Sequence, residues 1–382
     1  MSEYKTTTTP YRYDYVGSFL RPAALKQARA EFEAGKIDQD TLRHVEDDAI
    51  VDLIHKQVAA GFHSVTDGEF RRAYWHLDFF WGFNGAAHTQ GEVPGYQFHN
   101  ILSKPDSVKL VGKLSGKSHP FVADFKFTQA HAPANVVVKQ TIPAAAQFLV
   151  ELDRPENKPT IDAFYESREA FLADLARAYH EVILDLYDAG LRNLQIDDCT
   201  WGMLAGALDT DVAFFRMNQE QLAAVAKTYQ DLNNAAIADL PDDLIINTHV
   251  CRGNFHSEWA GKGAYDAIVD PLFTQANYHA FYLEYDSERA GGFEPLAQVP
   301  DDKYVVLGLI TSKFPQLEDR QHIIDRINQA AKYHPLDKLC LSPQCGFAST
   351  EEGNVLTEEQ QWAKLALVKS IAEEVWGTAY TN

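Results

Sequence analysis

Eight short apolar runs recur along the chain, at residues 13–19, 63–69, 135–143, 193–198, 245–251, 281–286, 304–310 and 339–346. Between them lie stretches with helical spacing, near 23–34, 40–60, 161–189, 212–238, 318–333 and, shorter, 263–279. No feature restricts the fold more: strands that alternate with helices pair in parallel, because each crossover needs a helix and each helix covers the sheet. A last helix opens on the capping pair Thr357 and Gln360. No Ser- or Gly-rich linker divides the chain, so residues 1–382 are expected to form a single (β/α)8 TIM barrel. The rhythm breaks at about 85–132, where a Gly- and Pro-punctuated stretch holding Val108 to Gly112 predicts an inserted β-hairpin segment.

The strand ends are where the chemistry gathers. His249 and Cys251 stand two apart at the end of the fifth run, and alternate residues of a strand share a face, so both can grip one ion. A carboxylate from the sixth run (Glu284, Asp286 or Glu288) and the Cys345 thiol would complete an N, S, O, S set suited to tetrahedral zinc. Spacing alone leaves the choice of carboxylate open. Gly17 and Ser18, Glu69, and Asp197 and Asp198 also fall at strand ends, the face on which barrel enzymes build their sites. For each acid the plain alternative is a helix N-cap. Cys199 and Cys340 are read as packing residues.

Four cysteines in 382 residues do not make a disulfide framework. A formal charge of −20 argues against nucleic acid and anionic membrane as partners. No apolar run approaches the roughly 18–20 residues of a membrane span, and the first residues lack the apolar core of a signal peptide, so a cytoplasmic location is expected.

The donor set also speaks to mechanism. Two thiolates and a carboxylate donate enough charge to blunt zinc as a Lewis acid toward water, which counts against a zinc hydrolase. The same set suits holding a substrate thiol as a thiolate, since a free thiol with a pKa of about 8.5 is mostly protonated at neutral pH. Thiol alkylation is the chemistry expected; a closed, structural zinc site and an alkyl transfer that opens an epoxide with another thiol are the alternatives.

The motifs His249-Val250-Cys251-Arg252-Gly253-Asn254-Phe255, Leu283-Glu284-Tyr285-Asp286 and Pro343-Gln344-Cys345-Gly346-Phe347 resemble those with which the catalytic barrel of cobalamin-independent methionine synthase holds zinc. The resemblance spans nearly the whole chain apart from the segment around 85–132. It selects Glu284 as the carboxylate and implies a zinc-dependent methyltransferase that methylates homocysteine, or a similar thiol amino acid, from a methyl donor such as methyltetrahydrofolate. It further implies that Gly17 and Ser18 take the amino acid's carboxylate, and that Glu69 and Asp197 hold its ammonium group. Three features depart from that family: 382 residues leave no room for a second, N-terminal barrel, the folate-stacking tryptophan is not evident around 141–147, and Thr311 stands where the family has a proton-donating histidine. Trp75, Phe79, Phe80 and Trp81 read either as a wall for a flat donor or as core. Arg71 and Arg72 read either as a seat for an acidic tail or as partners of nearby acids.

Overall fold

The computed structural model describes residues 9–208 and 216–381. In chain order the elements are α1 (Ala23–Glu33), α2 (Gln39–Ala59), β1 (Ser64–Val65), α3 (Leu77–Trp81), β2 (Asn84–Gln90), β3 (Asp106–Ser115), α4 (Pro120–His131), β4 (Val137–Pro143), α5 (Ala145–Leu152), α6 (Lys158–Asp162), α7 (Arg168–Asp188) and β5 (Asn193–Asp198). They continue with α8 (Cys199–Ala205), α9 (Gln219–Ala236), β6 (Ile245–Val250), β7 (Ala280–Glu284), β8 (Tyr304–Ile310), α10 (Arg320–Ala330), β9 (Leu339–Pro343) and α11 (Glu358–Trp376).

Strands β1, β4, β5, β6, β7, β8 and β9 pair in that order, each parallel to the next, in one curled sheet. From β4 to β9 nearly every residue is buried, as expected of strands covered by helices on one side and filling a barrel on the other. The expected strand at 13–19 reduces to a parallel bridge between Tyr13 and Leu341. The Asp14 amide donates to the Leu341 carbonyl at 3.1 Å, and the Leu341 amide donates to Arg12 at 2.9 Å. Pairing stops there because the Tyr15 carbonyl is taken by the Lys139 ammonium at 2.6 Å and Gly17 turns the chain at a φ of 147°. On its other flank this segment meets the loop after β1, with the Phe19 amide donating to Gly68 at 3.1 Å and Thr66 Oγ1 to Gly17 at 2.6 Å. The curled sheet is thereby closed into a barrel-like wall.

Helix boundaries follow their caps. Asp38, Ser167 and Asp319 accept the first free amides of α2, α7 and α10, and Asn218 with Gln221 and Thr357 with Gln360 form reciprocal capping boxes on α9 and α11. The helix expected over 161–189 is two, because Ser167 caps a new start. Of the helix expected over 212–238, residues 216–218 precede the described α9 and residues 212–215 lie outside the described residues. In place of a helix at 263–279 stand a 3-10 turn, Tyr265–Ile268, and one π turn, Asp270–Thr274, where Pro271 withholds an amide from any regular ladder. The inserted segment contains the antiparallel hairpin β2–β3, then α4. Residues 91–105 between the hairpin strands form an arm that reaches the loop after β6, the His99 amide donating to the Trp259 carbonyl at 2.8 Å.

Inside the barrel the Lys139 ammonium pairs with Asp14 at 2.8 Å, and the Tyr282 hydroxyl donates to the same carboxylate at 2.7 Å. Cys340 packs there against Ala280, Tyr282, Tyr304 and Val306, the packing role read from its sequence. Among the described residues no helix is long and apolar enough to cross a membrane.

Candidate active site at the strand ends

Strand register brings the sequence candidates together. Asp197 of β5 lies beside His249 of β6, and Asp198 beside Val250, so Cys251 emerges one residue past the pairing. Pro343 of β9 pairs with Ile310 of β8, and Cys345 follows two residues on. The ligand atoms of His249, Cys251 and Cys345 lie within 4.8 Å of one another, all three residues buried, and the two sulfurs are 3.5 Å apart. His249 Nδ1 donates to the Tyr282 carbonyl at 3.1 Å, which fixes the tautomer and leaves Nε2 buried with no hydrogen-bond partner. Thiols of Cys199 and Cys345, together with the His249 imidazole, hold the Cys251 thiol well below the ordinary range. Cys345, beside the Cys251 sulfur and buried, is pushed well above it. An imidazole with a free lone pair and two converging sulfurs is a donor group that fits a soft or borderline metal ion.

Glu284 stands apart from that trio. Its Oε2 accepts the Arg252 amide at 2.9 Å and its Oε1 the Arg289 guanidinium at 3.2 Å, while burial raises its pKa. The Arg252 side chain is clamped behind it, on the Glu284 carbonyl at 3.1 Å and the Tyr265 hydroxyl at 2.9 Å.

Ser18, Glu69 and Asp197 line one chamber with His249, Cys251 and Cys345. Gly17 is not on the wall; its backbone makes the turn that presents Ser18, and a Cβ there would lie 2.7 Å from Thr141 Cγ2. Ser18 is fixed by the Phe347 amide, which donates to its carbonyl at 3.0 Å, so the first and last barrel segments meet beside Cys345. Glu69 Oε1 accepts from Thr141 Oγ1 at 2.8 Å and pairs with Arg72 at 3.2 Å, whereas Oε2 is buried without a partner. Burial, with the Glu69 carboxylate nearby, pushes Asp197 up to about 7. Asp198 is the N-cap of α8, accepting the Thr200 amide at 2.9 Å, which is the plain alternative for a strand-end acid.

The outer chamber is aromatic, with Tyr74, Trp75, His76, Tyr96, Phe98 and Phe255. Of the aromatic cluster weighed from sequence, Trp75 lines the chamber. Phe79 and Phe80 belong to the core, Phe80 stacking on Phe148 at 4.3 Å, and Trp81 donates to the Ser107 carbonyl at 3.0 Å. Arg71 pairs with Glu46, Asp47 and Asp124, and Arg72 with Glu69, so both are partners of nearby acids. Thr311 is half-buried, its amide donating to Glu318 at 2.8 Å. Three residues escaped the sequence reading. Cys199, expected to be mere packing, lies on the chamber wall beside Cys251. His76 faces the same chamber with Nδ1 unpartnered, and Lys313 lies buried near Glu284 and Cys345 with its ammonium unpartnered. For Cys199 the signal was available, in the matching strand ends Asp197-Asp198-Cys199 and His249-Val250-Cys251.

Residues 160–369 match the family of cobalamin-independent synthase catalytic domains. The chain is 44% identical to YxjH of Bacillus subtilis, an uncharacterized protein, over 97% of this chain and 96% of that one. It is 21% identical to a methionine synthase of Saccharolobus solfataricus, over 87% of this chain and 86% of that one. A solved structure from Listeria monocytogenes, of a protein proposed to be a vitamin-B12 independent methionine synthase, superposes with a TM-score of 0.76 at 36% identity, covering 97% of this chain and all of that one.

Proposed function

The chain belongs to the family of cobalamin-independent synthase catalytic domains, and on that premise we propose that it is a zinc-dependent methyltransferase acting on the sulfur of homocysteine or a similar thiol amino acid. The observation that carries the reading is the buried trio of His249, Cys251 and Cys345, converging within 4.8 Å on a chamber whose wall also holds Glu69 and Asp197. These three would hold zinc, with Glu284 as the carboxylate that the family resemblance brings to the set. When bound, zinc lowers the pKa of a thiol beside it, keeping the acceptor's sulfur nucleophilic at neutral pH.

The remaining residues bind and orient. Glu69 Oε2, buried and free, would accept an ammonium hydrogen, with Asp197 as the second carboxylate. The Ser18 hydroxyl, presented by the turn at Gly17, would meet the acceptor's carboxylate. Clasping the amino acid at its polar end leaves its sulfur to reach the trio, which is positional catalysis of a bimolecular transfer. The aromatic rings of the outer chamber form an apolar seat for the methyl donor, a methyltetrahydrofolate or another methyl carrier, and exclude water from the transfer.

The test combines metal analysis with turnover. Zinc-loaded protein is expected to hold one zinc per chain and to form methionine from homocysteine and 5-methyltetrahydrofolate, offered in monoglutamyl and polyglutamyl forms, and Cys251→Ser is expected to lose both. Wild-type protein that holds no zinc would sink the reading. Zinc and homocysteine binding without turnover on either folate would retain the acceptor and reject the folate as donor.

A further inference from the structure

Two polar side chains at the outer end of the chamber have nothing to bond to. His76 immediately precedes α3 and Gln147 lies in the first turn of α5; both line the chamber and are more than nine-tenths buried, with His76 Nδ1 and Gln147 Oε1 unpartnered. A buried donor or acceptor left unmade is costly, so two in one chamber mark a place for a ligand. The helices behind them are locked together: Phe80 of α3 stacks on Phe148 of α5 at 4.3 Å, and the His76 ring stands edge-on to Phe80 at 5.7 Å. Charged groups around this end are already engaged. Asp106 is met by Tyr74 and His88, Glu151 by Tyr96, Ser107 and Arg154, and Lys104 pairs with Glu351 and Glu352. What stays open is neutral, because burial and the nearby Arg154 hold the His76 imidazole down to about 3. Trp75 adds a flat face, its ring centre 4.7 Å from that of His76 and its amide anchored on the Ser349 carbonyl at 2.8 Å. Tyr96 and Phe98, from the inserted arm that the family resemblance does not cover, complete the wall.

We propose that His76 and Gln147 determine which methyl donor the chamber accepts, by hydrogen-bonding the edge of a flat, uncharged ring that stacks on Trp75. Gln147 Oε1 accepts a ring N–H, and His76, in its Nδ1–H tautomer, donates to a neighbouring ring carbonyl. The proposal rests on the methyltransferase reading above and adds the donor's half to it. A ring with N–H beside C=O, as in a reduced pterin, satisfies both open atoms. A compact sulfonium such as S-methylmethionine offers no such edge, and the Asp106 and Glu151 carboxylates at this end are already engaged. The neutral imidazole hydrogen-bonds and passes no proton, so its part is selection and orientation of the donor.

Calorimetry on the zinc-loaded wild type compares two probes, 6-methyltetrahydropterin and the same ring methylated at N3, which lacks the N–H. The parent ring is expected to bind, and the N3-methyl ring to bind about 10-fold more weakly. His76→Phe and Gln147→Leu keep the bulk of the side chains and remove their polar atoms. Each should weaken the parent ring about 10-fold and raise KM for 5-methyltetrahydrofolate by the same factor, with homocysteine affinity unchanged and kcat little moved. Equal affinity of the wild type for both rings, or wild-type ring affinity in both variants, would overturn the proposal; the two-ring comparison stands even where a variant fails to fold. No ring binding by wild-type protein that holds zinc and homocysteine would overturn it too and leave the acceptor reading standing. Ring binding that follows this pattern in a wild type that takes up no zinc would retain the two residues as a ring site and sink the methyltransferase reading instead.

Discussion

Glu69 sits in a left-handed backbone conformation, φ 62°, that residues other than glycine and asparagine seldom adopt. One of its carboxylate oxygens meets Thr141 and Arg72, and the other is buried and free. If that oxygen receives the acceptor's ammonium, Glu69→Gln should weaken homocysteine binding by about 10- to 100-fold, the worth of a hydrogen bond to a charged group. It should raise KM far more than it lowers kcat. Calorimetry with homocysteine and with its analogue lacking the amino group decides the matter: equal losses for both ligands would remove Glu69 from ammonium recognition. At this scale the convergence of His249, Cys251 and Cys345 was legible in the sequence. His249 and Cys251 stand out because period-two geometry puts them on one face, and Cys345 because its strand ends at a loop mouth. Cys199 was lost because a lone cysteine is ordinarily packing, and only the register of β5 against β6 puts it next to Cys251. The clasp on Glu284 was not legible because half of it, the Arg252 amide, comes from a different strand end, and Arg289 reaches back across a turn to form the other half.

Helix α8 shows how an element tunes a site without supplying most of its atoms. Gly202 lets it approach the loop after β6 so closely that an added methyl must move one of them. Gly202→Ala is therefore expected to cost about 1–3 kcal/mol by overpacking. Because the displaced atom is the Cys251 carbonyl, zinc affinity should fall as well. Thermal unfolding with and without a zinc chelator measures both; a variant with wild-type Tm and metal affinity would show that the contact relaxes freely. Elements with continuous apolar runs were readable, β4 to β9 above all, because burial on both faces leaves an unbroken signature. Helix α5 was not, since Ala144-Ala145-Ala146 follows Pro143 at once and reads as the tail of a strand. Helix α4 lay hidden in a segment read as a hairpin, its start marked only by His119 and Pro120.

Across the whole molecule, acid sensitivity follows from buried imidazoles. Burial holds His76 down to about 3 and His119 to about 4, against 6.5 in an unstructured chain. As pH falls below about 6.5 the unfolded chain takes up these protons first, so the stability that these two histidines contribute is full above that pH and is lost progressively toward pH 4. A loss on the order of a few kcal/mol is expected. Urea midpoints measured from pH 7 to 4 should decline steeply in the wild type and less so in His76→Phe; parallel slopes would show that His76 does not contribute. The barrel interior carries a second liability. Lys139→Met leaves the buried Asp14 carboxylate without its counter-charge, held only by the Tyr282 hydroxyl and the Tyr15 amide, and should cost roughly 3–5 kcal/mol, whereas Lys139→Met with Asp14→Asn should recover much of it. Overlapping denaturation curves for the two variants would dissolve that pairing argument. The seam at Tyr13 and Leu341 carries a different kind of consequence, one of timing. It joins residues more than three hundred positions apart, and the Phe347 amide meets the Ser18 carbonyl a few residues beyond it on each side. During synthesis the ribosome releases the first half of this seam long before the second exists, so the edge of the early segment that faces Leu341 must wait through nearly the entire translation, while its other flank can already meet Thr66, Gly68 and Lys139. On the proposed zinc reading, metal capture at Cys345 would come last in folding, and the metal-bound fraction of a nascent population would report how many chains have closed.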